Sequence, residues 1–166
     1  MSTQTSPLEL IDFHSHYIPP EWTPTNTRDM TGERLRRWER IHRRLSDPDA
    51  LLEFVRAGDI KARVVNIPAG LFTNPGEVAT RDVFRRINDV LARLVDDHRG
   101  ALYGLASVDA FGGEAAAEEL PRAVTELGLR GVFLESARGD LLLDAPEARP
   151  VLAAAAALDI PVFAHP

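Results

Sequence analysis

Short apolar runs alternate along this chain with longer stretches in which apolar residues recur every three or four positions. Apolar runs with few polar residues are typical of strands buried on both faces, whereas the wider spacing is typical of amphipathic helices. The runs predict strands at 8–14, 62–69, 101–109, 129–136 and 160–166. The spaced stretches predict helices at 48–57, 82–95, 114–127 and 146–158.

Punctuating residues support one of these helices and complicate another. Asp47 is a typical N-cap, Pro48 suits the first helical position, and Gly58 is a typical C-cap. Pro121 lies inside the predicted helix 114–127, where it removes a backbone N–H and should cause a kink.

The order of these elements predicts an α/β fold with a parallel sheet. Each strand is followed by a helix, and strands that are apolar on both faces need helices to cover them. Two architectures have this order: an open doubly wound sheet and a (β/α)8 TIM barrel. No glycine-rich phosphate loop follows the first strand, which counts against a nucleotide-binding sheet.

One connection is much longer than the others and follows the first strand directly. Residues 19–46 contain the charged helical segment RLRRWERIHRRL. A connection of this length is usually functional or an interaction surface. We expect either a solvated helix with Trp38, Ile41 and Leu45 turned inward, or a lid or dimer contact.

The segment IDFHSH, residues 11–16, predicts a metal site at the end of the first strand. Side chains alternate along a strand, so His14 and His16 should point to the same face. His165 ends the fifth predicted strand, and the carboxyl ends of parallel strands are the edge where sites form. Three neutral imidazoles at one point suit Zn²⁺ and leave a position open for water or substrate.

The remaining candidate near this site is Asp12, two residues before His14. By alternation it shares a face with the two histidines, so it could orient a ligand imidazole as an outer partner. It could equally be a buried acid bonded to the backbone or to a neighbouring Lys or Arg. His42 and His98 lie in charged or polar helix segments, and we expect them on the surface.

Composition and charge limit the classes of partner that we expect for this protein. The 166 residues are 45% hydrophobic and carry a formal net charge of −6, so a nucleic-acid partner is not expected. There is no cysteine, which excludes thiolate metal sites and fits the cytoplasm. No apolar run is long enough to span a membrane. A small-molecule substrate is the expected partner.

Several stretches of the chain resemble one family in the right order. "LELIDFHSHYIPPEW" resembles the opening of the amidohydrolase-related family, in the branch that holds aminocarboxymuconate-semialdehyde decarboxylase and the resorcylate decarboxylases. "RRINDVLARLVDDHRGALYGLASV", "LGLRGVFLES" and "LLLDAPEARPVLAAAAALDIPVFAHP" resemble later parts of it. TatD-like nucleases and PHP-type phosphoesterases also open with His-x-His, but the acidic charge and these contexts argue against both.

The resemblance implies a metal-dependent (β/α)8 barrel with His14, His16 and His165 as ligands. One Zn²⁺ is the expected ion, with Mn²⁺ or another divalent metal as alternatives. The fourth strand carries Glu135 and no lysine, which resembles the mononuclear branch. Asn88 matches an Asn-Asp pair of the family and should make a structural hydrogen bond. The implied activity is that of a decarboxylase or a hydrolase acting on a small carboxylated or aromatic-derived substrate.

In the family an acid/base His comes from strand six and an Asp ligand from strand eight, and neither maps onto these residues. We therefore expect no catalytic residue here. We expect a single domain, 1–166, forming strands one to five of a partial barrel, with 19–46 as an insertion. Such a chain should be a truncated or partial form that, alone, is inactive and either poorly soluble or self-associated. The complete protein should be a cytoplasmic homodimer. The alternative is a non-catalytic half-barrel remnant or a subunit that needs a complementary chain.

A substrate carboxylate would favour an Arg in the pocket, because a guanidinium binds a carboxylate through two hydrogen bonds. The loops after the first and fourth strands offer Arg28, Arg36, Arg37 and Arg138. The sequence does not rank them.

Overall fold

The computed structural model describes residues 9–22, 24–27, 29–73 and 77–166 and centres on a parallel sheet of five strands. The strands are β1 (Ile11–His16), β2 (Ala62–Asn66), β3 (Leu102–Ser107), β4 (Gly131–Glu135) and β7 (Val162–His165). Their order in the sheet is β1-β2-β3-β4-β7, and every neighbouring pair is parallel. The order follows the chain without reversal, so the doubly wound alternative is wrong and the partial barrel is confirmed.

Helices connect the strands and cover the outer face of the sheet. They are α1 (Gly32–Leu45), α2 (Pro48–Ala57), α3 (Arg81–Asp97), α4 (Gly113–Ala117), α5 (Glu119–Pro121) and α6 (Arg149–Ala157). Shorter 3-10 turns lie at Thr25–Thr27, Ala69–Phe72 and Pro146–Ala148. Among the described residues, no helix is long and apolar enough to cross a membrane.

The helix-end signals of α2 are confirmed. The Asp47 side chain accepts a hydrogen bond from the backbone N–H of Asp49 at 2.9 Å, so it caps the first turn. Gly58 ends the helix with φ of 81°, a left-handed conformation that glycine adopts without steric cost. The five predicted strands are also found. Four are shorter than predicted, whereas β1 begins at Ile11 and continues to His16, two residues beyond its predicted end.

The prediction of one helix over 114–127, continuous apart from a kink at Pro121, is wrong. The chain forms α4, then the three-residue α5, then a π-helical turn at Arg122–Glu126. Pro121 ends α5, and its missing N–H explains why the regular hydrogen-bond pattern cannot continue through it. A small antiparallel hairpin after β4 was not predicted either. It pairs β5 (Ala137–Arg138) with β6 (Leu141–Leu142), strands too short for a periodic pattern.

The sheet has two apolar faces with different surroundings. The outer face packs against the helices and forms the larger core, which includes Val65, Leu91 and Leu134. The inner face carries a small separate cluster of Val64, Leu105 and Phe133, with Phe163 packed against it. A sheet with apolar side chains on both faces is the arrangement of a barrel wall.

The long connection between β1 and α2 is anchored at its ends. The backbone N–H of Ile18 donates to the carbonyl of Leu45 at 3.0 Å, which ties the start of the connection to the end of α1. Trp38 and Leu45 are half-buried, but Ile41 is 41% exposed and no residue of α1 is fully buried. The expectation of Ile41 turned inward is therefore wrong, and the helix remains largely solvated.

A buried ionic network joins α3, β3 and α5. Glu119 is 1% exposed, and its carboxylate accepts hydrogen bonds from Asn88, Arg85 and Arg122 at 2.6–3.1 Å. Asn88, fully buried, also bonds through its amide to the backbone N–H and carbonyl of Ser107 at 2.8 and 3.1 Å. The structural hydrogen-bonding role expected for Asn88 is confirmed.

Removing the Glu119 carboxylate should destabilise the fold strongly. In Glu119→Ala the half-buried Arg122 and the buried Asn88 lose a charged partner, and losing one member of a buried pair costs on the order of 3 kcal/mol. Glu118→Ala is the matched control, because its side chain is 62% exposed and also pairs with an arginine, Arg81. That variant should lose about 0.5 kcal/mol at most. Urea unfolding measures both, and equal losses would contradict the buried network.

The two outer strands of the sheet leave apolar side chains exposed. Leu10, Ile11 and Phe13, at β1, are 54%, 51% and 45% exposed, and Val162 on β7 is 40% exposed. Unpaired strand edges with apolar side chains favour association. We therefore expect the 166-residue chain produced alone to self-associate in sedimentation velocity, at concentrations of roughly 10 μM. A monodisperse monomer would contradict this expectation.

Candidate metal centre

The three predicted histidines meet at the carboxyl end of the sheet. The Nε2 atoms of His14 and His16 lie 3.2 Å apart, and the rings of both face His165, with centroids 5.0 and 5.5 Å away. One ring nitrogen from each histidine can be chosen so that all three lie within 4.8 Å of one another. Among the described residues this is the one group of His, Cys, Asp and Glu side chains with that spacing.

The curvature of the sheet produces this meeting. His14 and His16 belong to β1, and His165 belongs to β7, at the other edge of the sheet. Four strand spacings of a flat sheet would separate those edges by about 19 Å. Rings 5.0 Å apart therefore require the sheet to curl until its first and last strands face each other. Contacts between Phe13 on β1 and Phe163 on β7, with ring centroids 5.9 Å apart, follow the same curvature.

A β-bulge in β1 corrects the prediction for Asp12. The register pairs Asp12 with Arg63 but Ser15 with Val65, so β1 contains one extra residue between these pairs. The extra residue reverses the alternation, and Asp12 faces the helices while His14 and His16 face inward. The Asp12 carboxylate accepts from the His14 backbone N–H and the Ser15 hydroxyl and lies 3.0 Å from Arg63 Nε. These contacts match the predicted alternative in which Asp12 bonds to the backbone and to a neighbouring arginine. None of them orients an imidazole ring.

Asn66 at the end of β2 is the side chain that orients the His16 ring. Its Oδ1 lies 2.7 Å from Nδ1 of His16, its register partner across the sheet. Since an amide oxygen only accepts, Nδ1 of His16 carries the proton and Nε2 keeps its lone pair toward the other histidines. Asn66 is 2% exposed, so water does not compete for this bond.

The donor set fits a divalent metal ion. Burial lowers the pKa of the His16 imidazole below its ordinary value, although the Asn66 hydrogen bond acts in the opposite direction, and His14 and His165 add smaller lowering effects. A lowered pKa favours the neutral imidazole, which is the form that binds a metal. Three imidazole rings in proximity, one of them with a fixed tautomer, are a suitable set for Zn²⁺ or Mn²⁺.

Aromatic rings form the floor beneath the histidines. Phe133 from β4 contacts His16 and His165, with ring centroids 6.1 and 5.2 Å apart. Phe163 from β7 lies 5.1 Å from His14 and stacks on Phe133 at 6.1 Å. The site thus combines three imidazole rings with an apolar wall.

A cavity of about 400 Å³ opens beside this floor, between the loops after β2, β3 and β4. Phe133, Phe84 and Phe111 contribute apolar walls. Arg138 lines it, but its guanidinium donates to both carboxylate oxygens of Asp109 at 2.9 Å and to the carbonyl of Phe111 at 3.2 Å.

The other candidate arginines and histidines lie away from the centre. Arg36 and Arg37 are exposed on α1, and Arg28 lies outside the described residues. His42, on α1, is within hydrogen-bond distance of the Ser46 hydroxyl, and His98 ends α3. Neither belongs to the histidine group. Both are half-buried, so the expectation of surface residues is only partly met.

Sequence reasoning missed Asn66 and the bulge. Asn66 lies within the predicted strand 62–69, in the run VVNIPA, and a polar residue in an apolar strand was a usable signal. The bulge leaves no mark in the pattern IDFHSH, because one extra residue still leaves two alternate histidines on the inner face.

Comparison with known proteins identifies the family. The amidohydrolase family model matches residues 11–166. The gamma-resorcylate decarboxylase of Rhodococcus jostii strain RHA1 is 34% identical over 94% of this chain. The 2-amino-3-carboxymuconate-6-semialdehyde decarboxylase of Dictyostelium discoideum is 25% identical, again over 94%. The chain spans about half of each of these relatives, 50% and 48%.

Solved structures share the fold. A dihydroxybenzoic acid decarboxylase from Polaromonas sp. JS666, solved with manganese and the inhibitor 2-nitroresorcinol, superposes with a TM-score of 0.75. The identity is 24%, and the match covers 95% of this chain and 49% of that structure. The match over residues 11–166 includes the two strands that carry the three histidines. The chain therefore belongs to the amidohydrolase family.

Proposed function

We propose that this chain forms the metal-binding part of a decarboxylase that acts on a carboxylated aromatic compound. The observation that carries the proposal is the convergence of His14, His16 and His165 above an aromatic floor. The names of the curated relatives support decarboxylation over hydrolysis, which the sequence left open. The proposal keeps residues 1–166 as one domain with 19–46 as an insertion, in a cytoplasmic homodimer.

The three histidines would hold one divalent ion. Zn²⁺ suits the imidazole set, and Mn²⁺ is supported by the manganese in the Polaromonas structure. When bound, the ion supplies positive charge that attracts and polarises the oxygens of a carboxylated substrate.

The chain's own residues would position the substrate and keep water away from it. The Phe133 and Phe163 rings offer a flat apolar surface for an aromatic ring beside the histidines. Asn66 fixes the His16 tautomer, so that the ring needs no rearrangement on binding. In the reaction the bond to the carboxylate carbon breaks, CO₂ leaves, and the ring carbon takes a proton. The family resemblance assigns that proton transfer to a histidine on a sixth strand.

Turnover of 2,6-dihydroxybenzoate tests the proposal. The whole protein, loaded with Mn²⁺ or Zn²⁺, should release CO₂ and form 1,3-dihydroxybenzene, measured by chromatography. Removal of the metal with a chelator should abolish turnover, and re-addition should restore it. His16→Ala should lose at least about 100-fold in turnover because a ligand is gone, whereas the control His98→Ala should keep its activity. Turnover that survives both chelation and His16→Ala would contradict the proposed centre.

Asn66 provides a second, independent test of the metal site. Asn66→Ala should weaken metal affinity by about 10- to 100-fold, because His16 loses the hydrogen bond that fixes its tautomer. Asn66→Asp keeps an acceptor oxygen at the same place and should retain most of the affinity. Competition with a chromophoric chelator measures both, without any need for turnover. Equal affinities for wild type and Asn66→Ala would contradict the orienting role.

A further inference from the structure

Glu135 extends into the mouth of the half barrel from the end of β4. It is the last residue of that strand and is the register partner of His165 on β7. It has the same parity as Phe133, two residues earlier, whose ring contacts His16 and His165. By strand alternation Glu135 therefore projects from the inner face, on the histidine side of the sheet.

The carboxylate of Glu135 reaches across the sheet end toward the loop after β2. A Cβ atom added to Gly70 would lie only 2.8 Å from Glu135 Oε1, so the absence of a side chain at Gly70 makes room for the carboxylate. Gly70, Glu135 and Phe133 all line the 400 Å³ cavity. The carboxylate thus stands at a wall of the cavity that adjoins the aromatic floor of the metal centre.

Of the charged residues that line the cavity, Glu135 is the one that has no hydrogen bond or ion pair with another described residue. Arg138 and Asp109 are bonded to each other, and Glu77 is also engaged. No hydrogen bond or ion pair joins the Glu135 side chain to any other residue in the described ranges. A carboxylate beside apolar walls, with free acceptor oxygens, is suited to receive a hydrogen bond from a ligand donor.

We propose that Glu135 is a specificity-determining residue that accepts a hydrogen bond from a hydroxyl group of an aromatic ligand in this cavity. Its negative charge would also disfavour a ligand that carries a second carboxylate at that position, because like charges repel at short distance. The inference rests on the proposed function for the identity of the pocket, but it concerns recognition of the ring substituents and not the chemical step.

Binding of probes that cannot react tests this inference. Calorimetric titration of the metal-loaded protein would compare 1,3-dihydroxybenzene with 1,3-dimethoxybenzene, which has the same ring but no donor. The wild type should prefer the dihydroxy probe by about tenfold or more, since hydrogen bonds to charged groups are among the stronger ones. Glu135→Ala should bring the preference close to one. Glu126→Gln, an exposed acid that precedes β4 at the opposite end of the sheet, is the control and should leave it unchanged.

Two further variants separate loss of the charge from damage to the fold. Glu135→Gln keeps the size but not the charge, so affinity for isophthalate relative to benzoate should rise by several-fold. Gly70→Ala retains Glu135 but places a Cβ only 2.8 Å from its Oε1, and should reduce the dihydroxy preference by displacing the carboxylate. Thermal melting of each variant should match the wild type.

The outcomes distinguish this inference from the proposed function. A dihydroxy preference that persists in Glu135→Ala, or that is absent in the wild type, would overturn the recognition role even if CO₂ release is observed. A preference lost in Glu135→Ala and reduced in Gly70→Ala would support it even if the chelation test of the metal centre fails.

Discussion

The curl of the parallel sheet is the constraint on which the site depends. Side-by-side parallel strands bring their carboxyl ends to one edge, but only strong curvature can bring β1 and β7 together across three intervening strands. The apolar inner cluster of Val64, Leu105 and Phe133 fills the concave side and supports that curvature. The histidine group is therefore a product of the whole sheet and not of one local motif.

The two faces of the sheet divide the polar chemistry between them. On the helix side, ionic groups are neutralised in pairs, as Asp12 with Arg63 and Glu119 with Arg122. On the inner side, the three histidines and Glu135 lie beside the apolar rings of Phe133 and Phe163. The bulge in β1 produces this division within a few residues, because it turns Asp12 outward and both histidines inward.

The alternating order of strands and helices, together with the strand-end histidines, could be read from the sequence because each has a local or periodic signal. The Asp47 and Gly58 caps are of this kind, and both were located correctly. The bulge and the pairing of Asp12 with Arg63 could not be read, since they depend on register between distant segments. Pro121 signalled a break in its helix, but not the π-helical form of the turn that follows. Asn66 lies 50 residues from His16, and only the fold brings the two side chains together.

That same contact links the centre to how the sheet assembles. His16 and Asn66 are register partners, so a one-residue slip between β1 and β2 would turn Asn66 to the helix side and leave the imidazole without its acceptor. Alternative pairings of these strands would thus bind an ion poorly even if they were equally compact. Metal affinity would therefore distinguish molecules whose first two strands have paired in this register from molecules in which they have paired out of register.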